Sequence, residues 1–121
     1  MQKERRLFVR FLMSGVVVLQ PDPKNPATMD CELIDLSYDG VGLYSPQNLP
    51  LNSKVNFIVI NRQLNINIGG VGRTVYCNPI KYSGKDYFRA GLEFLEADRK
   101  QVRDILIRVR EISEPRTSWR L

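Results

Sequence analysis

The sequence predicts a mainly β fold, a six-stranded antiparallel barrel with one C-terminal α-helix. Three observations carry this. Short runs with apolar residues at every second position recur through most of the chain, turn residues punctuate them at regular intervals, and a helical period appears only near the end. With 121 residues and 43% hydrophobic content, the chain has the size of one domain with a single core.

The first strand is expected over Phe11–Leu19 and is stopped by QPDPKNPAT, whose prolines cannot continue a ladder. MDCELIDL, Met29–Leu36, is the second. After the turn SYDG comes a third strand, VGLYS at Val41–Ser45. VNFIVIN, Val55–Asn61, then pairs through an Arg62-Gln63 turn with LNINIGGVGRTVYC, whose glycines mark a bulge or a bend at a barrel corner. The turn YSGKD leads into the sixth strand, YFRAGLEF at Tyr87–Phe94. In ADRKQVRDILIRVREIS the apolar residues Val102, Ile105, Leu106, Val109 and Ile112 share one helical face, and Asp98 with Gln101 has capping-box spacing. That stripe is read as core. Arg99, Arg103, Arg108 and Arg110 around it form a solvated face or a partner surface.

Charge and missing residue types limit the chemistry. The formal charge is +5, and 12 of the 18 cations are arginines, whose planar fork suits phosphates and guanine edges. No histidine is present, so Ser-His-Asp, Cys-His and His-ligated metal arrangements are excluded. Cys31 and Cys77 stand apart among alternating apolar residues and read as buried thiols of a reducing cytoplasm. The N-terminal MQKERR followed by FLMSGVVVL resembles a secretion signal only in outline. The apolar run is short, no small-x-small site follows, and it falls well below the roughly 20 residues that span a bilayer. A strand is therefore expected there, with no membrane insertion.

Two motifs carry the chemistry: RLFVR at Arg6–Arg10, preceded by a third cation at Arg5, and DLSYDG at Asp35–Gly40. Taken alone, Arg6 and Arg10 read better as a charged arm that keeps an edge strand soluble. The R-x-x-x-R spacing recurs at Arg99/Arg103 and Arg116/Arg120. D-x-S-x-x-G occurs once, at the end of an apolar strand, where an Asx-type turn explains it about as well as a ligand site does. Gly40 is expected to supply a positive φ for the turn.

The two motifs in this order resemble the PilZ domain, the bacterial receptor for cyclic di-GMP. GRTVYC, then YFRAGLEF and a terminal helix, are similar to the later half of that family, so the likeness covers nearly the whole chain. The resemblance implies a split six-stranded barrel over residues 11–112 with its helix, a flexible arginine arm over 1–10 and a tail over 113–121. It implies a ligand site for cyclic di-GMP built from Arg6, Arg10, Asp35, Ser37 and Gly40. Arg5 adds a third guanidinium, read either as a solvated surface charge beside a single nucleotide or as extra positive charge for an intercalated pair. The implied protein is a cytoplasmic, non-enzymatic receptor without cofactor or metal. Nucleotide binding would order its arm and signal to an effector protein in motility, exopolysaccharide or biofilm control.

Chemistry agrees with that site. Guanine offers O6 and N7 as paired acceptors and N1–H and N2–H₂ as donors, so arginine suits one edge and an aspartate the other. Other readings are a PilZ-like adaptor that works through protein contacts without nucleotide, or an OB-like barrel for single-stranded nucleic acid. The second calls for exposed aromatics, whereas Phe57, Phe88 and Phe94 read as core, so no DNA or RNA partner is expected. An enzyme built on Asp35, Asp39 and Glu93 lacks a nucleophile-base pair. Trp119 reads either as part of a flexible tail or as an anchor for a partner.

Overall fold

The alternating strands close on themselves. The structure, a computed structural model, describes the backbone of residues 9–118 and side chains through Glu111. Strands β1 (Phe11–Leu12), β2 (Val16–Gln20), β3 (Met29–Leu36), β4 (Gly40–Ser45), β5 (Lys54–Asn61), β6 (Ile66–Tyr82) and β7 (Lys85–Ala97) precede α1 (Arg99–Ser118). All pairs are antiparallel, in the order β3-β2-β5-β6-β7-β4, and β4 returns to β3, which closes a six-stranded barrel with the short β1 appended to β3. Closure leaves the six strands without the open edge that an exposed sheet presents.

The period-two residues fill the interior. Val17, Leu19, Leu33, Leu43, Val55, Val59, Ile66, Ile68 and Leu92 are buried, and Phe57 stacks on Phe94 with ring centroids 5.1 Å apart. Phe88, expected in the core with them, is only half-buried, because it lies where β7 runs past the end of β4 at the Ser45 pairing. Val102, Ile105 and Val109 of α1 join the same core cluster, so the helix packs its stripe on the barrel as its sequence requires. Ile112 lies outside the described side chains. Helical backbone continues to Ser118, and among the described residues no helix is long and apolar enough to cross a membrane.

The first expected strand is two strands. Val16–Gln20 is gripped on both sides, by β3 and β5, whereas Phe11–Leu12 pairs with β3 alone. Gly15 makes the break. Its φ is +146°, and a Cβ there would strike the Ile60 carbonyl, so only glycine passes at this point. The kinked backbone stays satisfied: Met13 N donates to Ile34 O, Leu33 N to Gly15 O, and the Asn61 side chain to Ser14 O at 2.7 Å.

Two further elements differ from expectation. The β5–β6 connection spans Arg62–Asn65 rather than Arg62-Gln63, since Asn61 pairs with Ile66. Asn61 Oδ1 accepts from Leu64 N at 2.9 Å and Asn65 adopts a φ of 55°, a side-chain-closed turn that hydropathy does not signal. At the helix start, Asp98 Oδ1 accepts from Gln101 N at 3.1 Å, but the Gln101 side chain donates to Asn67 O instead of closing the box. The β6–β7 hairpin turns at Ser83-Gly84, both at positive φ, between the paired Tyr82 and Lys85.

The two cysteines are free. Burial pushes the Cys31 thiol up to about 12, while Cys77 is partly exposed and its sulfur accepts from Leu49 N. A disulfide reagent added to the folded protein at about pH 8 is therefore expected to label Cys77 and to reach Cys31 only after denaturant is added. Gly15→Ala is expected to cost about 1–3 kcal/mol in urea unfolding, from the forbidden φ and the carbonyl clash together.

Candidate functional site

Asp35 owes its position to an irregularity in β3. Cys31 and Leu33 face the core, and strict alternation would send Asp35 inward with them. The β3–β4 register shifts between Leu33 and Asp35, so Asp35 pairs with Gly42 while Leu36, paired with Val41, takes the next core position. The carboxylate emerges on the outer face beside Gly42, where a Cβ would lie 2.5 Å from Oδ1.

Although it points outward, Asp35 is only 4% exposed. Arg10 and Arg89 cover it. Arg10 Nη1 donates to Oδ1 at 2.8 Å, and Arg89 Nη2 stands 3.7 Å from Oδ2. β1 delivers the first of these guanidinium groups: Leu12 pairs with Asp35 and Phe11 with Leu36, which brings Arg10 alongside the end of β3. β7 delivers the second, on the outward face it shares with Gly91 and Glu93.

Across the outer surface, Asp35 on β3, Gly42 on β4, Gly91 on β7 and Tyr76 on β6 occupy successive paired positions. The two glycines form a floor. A Cβ on Gly91 would collide with the Tyr76 ring, and one on Gly42 would meet both Asp35 Oδ1 and Arg89 Nη1. The Arg89 guanidinium lies 5.9 Å from the Tyr76 ring centroid. Ring, guanidinium, carboxylate and second guanidinium thus follow one another over a smooth trough.

This trough is electrostatically unbalanced. Two cations meet one carboxylate, and Arg10 Nε and Arg89 Nη1 are buried without a hydrogen-bond partner. At 3.7 Å the Arg89 contact on Oδ2 is an ion pair and not a hydrogen bond, so that oxygen keeps acceptor capacity. A ligand carrying both an anion and a donor edge would complement the arrangement.

The turn after β3 is tightly closed. Ser37 N donates to Gly40 O at 2.9 Å, and the buried Ser37 hydroxyl donates to Asp39 Oδ1 at 2.5 Å. In this structure Ser37 holds the turn. Gly40 is not among the residues at positive φ, contrary to expectation; it is glycine because a Cβ would run into the Leu92 carbonyl on β7. Arg5 and Arg6 lie outside the described residues. Asp39 and Glu93 have their own partners, Ser37 and Arg73 respectively, and no cluster among the described residues could hold a metal ion.

Arg89, Tyr76, Gly42 and Gly91 were not named from the sequence as site residues. Alternation in YFRAGLEF does place Arg89 and Gly91 on the outer face, but only strand pairing shows that this face meets Asp35.

The model of the PilZ domain matches residues 4–110. The chain belongs to the PilZ domain family. Solved structures share the fold. The PilZ domain of YcgR from Escherichia coli, solved with c-di-GMP, is 17% identical, with 92% of this chain and 98% of that one covered and a TM-score of 0.67. The MrkH-c-di-GMP complex of K. pneumonia is 16% identical, over 96% of this chain and 56% of that one, with a TM-score of 0.71. For the Bacillus subtilis inhibitor of motility, MotI/DgrA, the values are 15%, 92%, 54% and 0.67. The chain therefore spans about half the length of the MrkH and MotI/DgrA chains. No curated protein matches it in sequence.

In this PilZ barrel, Asp35→Asn would keep the shape but remove the charge that two partly buried guanidinium groups share. Chemical denaturation is expected to show a loss of about 2–3 kcal/mol, since a hydrogen-bonded charge is removed while its partners stay in place. Unchanged stability would mean that the arginines are held by something other than Asp35.

Proposed function

We propose that this PilZ domain is a receptor for cyclic di-GMP that acts through contacts with another protein and not through catalysis. The observation that carries the reading is the meeting of Arg10 with Asp35, 25 positions apart, on an outer trough that leaves arginine donors unsatisfied. Each component suits part of the nucleotide. Asp35 can accept from guanine N1–H and N2–H₂, a guanidinium can take O6 and N7 or a phosphate, and the Tyr76 ring offers a face for stacking. Gly42 and Gly91 let the Asp35 carboxylate, the Arg89 guanidinium and the Tyr76 ring settle close against the sheet, where a purine can meet them.

The same geometry supports a switch. Before ligand binds, Arg10 is engaged with the carboxylate that guanine needs, so binding re-partners the arginine and carries the N-terminal arm with it. Arg5 and Arg6 on that arm supply further positive charge for the phosphates of one nucleotide or of an intercalated pair. The re-ordered arm then presents a new surface to an effector of motility, exopolysaccharide or biofilm control in the cytoplasm. YcgR and MrkH, structural neighbours of this chain, were solved with c-di-GMP, which supports the choice of ligand.

Titration calorimetry tests the proposal. Cyclic di-GMP is expected to bind the wild type at micromolar or tighter affinity, and the stoichiometry decides between a single nucleotide and a stacked pair. Arg10→Ala removes one good guanidinium contact worth roughly 1–3 kcal/mol and should weaken binding about tenfold or more with the fold intact. Arg89→Ala should do likewise. No heat with the wild type at millimolar nucleotide would end the receptor reading, and one nucleotide per chain would remove the stacked pair.

A further inference from the structure

The start of α1 breaks a local rule. Helix N-termini carry partial positive charge and favour acids; at α1 the capping Asp98 alone meets that preference, and the first turn itself opens on the cations Arg99-Lys100. Lys100 is accounted for by Asp104, 3.0 Å away and four residues on. Arg99 has no such local reason. It reaches back to the ligand-site motif instead: Nη1 donates to the Tyr38 carbonyl at 3.1 Å, Nη2 donates to the Phe94 carbonyl at 3.0 Å, and its guanidinium lies 5.4 Å from the Tyr38 ring centroid. A planar fork is required for this, because one side chain must serve carbonyls on two elements while its face meets an aromatic ring.

Those contacts join three pieces of structure. Tyr38 stands in the middle of the Asp35–Gly40 turn, between the closing residues Ser37 and Asp39. Phe94 on β7 donates its N–H to Asp39 O at 2.8 Å while its carbonyl receives Arg99, so β7 is tied to the turn on one side and to the helix on the other. Beyond Arg99, the helix is held through Gln101 to Asn67 O and Arg108 to Leu64 O. A shift of the turn cannot leave the first helical turn unmoved unless the Arg99 fork lets go.

We propose that Arg99 is the positioning residue that couples occupancy of the Asp35–Gly40 turn to the seating of α1, making the helix an output element of the receptor. The inference rests on cyclic di-GMP binding at that turn. Coupling of this kind is reciprocal: whatever partner fixes the helix raises nucleotide affinity by the same factor. A cation placed against the helix dipole and held by contacts to a motif turn is where a functional constraint is expected.

Calorimetry and amide hydrogen exchange on the full chain, with and without cyclic di-GMP, test it. In the wild type, nucleotide should slow exchange both in the turn and in the first two turns of α1. Arg99→Ala should weaken binding by about tenfold, within the usual range of coupling factors, and confine the protection to the turn. Arg99→Lys keeps the charge but not the fork, and should behave nearer to Arg99→Ala than to the wild type. Tyr38→Leu keeps the carbonyl contacts and should retain the helix response with a smaller loss of affinity. Wild-type affinity and helix protection in Arg99→Ala would overturn the coupling; should that variant not fold, the same result in Arg99→Lys would do so. A wild type that gives no binding heat removes the receptor reading itself, whereas a binding wild type with an indifferent Arg99 variant removes the coupling alone.

Discussion

One carboxylate on the outside of the barrel organises the face around it. Asp35 is nearly excluded from solvent and flanked by two guanidinium groups, from Arg10 and Arg89, that lie 79 positions apart in the chain. A carboxylate out of water is costly unless it is paired and hydrogen-bonded, so the fold must bring cations to it. Arg10 answers by way of β1, and Arg89 by way of β7. The pairing of the N-terminal segment with β3, the use of glycine at Gly42 and the arrival of β7 opposite β4 are all consistent with this requirement.

Barrel and site draw on different forces. Closure of six strands around Phe57, Phe94 and the aliphatic side chains, with the stripe of α1 packed against them, is a matter of apolar area removed from water. The outer trough is polar and rests on that platform. Its charges do not balance, and its unpartnered donors are what a stability-optimised surface would avoid. Imbalance of this sort gathers where a protein binds something, and here it coincides with the proposed ligand site. Arg99 then carries the turn's position to the helix through two carbonyls and a ring.

The likeness to PilZ structures at 15–17% identity fits this division. A closed barrel needs alternation and volume, which many sequences satisfy, so the fold survives wide divergence. Arg10 and the D-x-S-x-x-G residues, by contrast, are tied to specific contacts.

Strand content, the helix and its apolar face, and the two motifs were legible in the sequence, because period two, period 3.6 and turn residues are local signals. That Arg10 and Asp35 lie on the same face was an expectation of the family resemblance; their direct ion pair was not. The break at Gly15, the side-chain-closed turn after Asn61, the outward turn of Asp35 and the parts played by Arg89, Tyr76 and Arg99 were decided only by the tertiary structure. The physical reason is register. A one-residue bulge reverses which face a side chain takes, and long-range strand pairing determines which distant residues share that face; neither leaves a mark in the local pattern of apolar and polar residues.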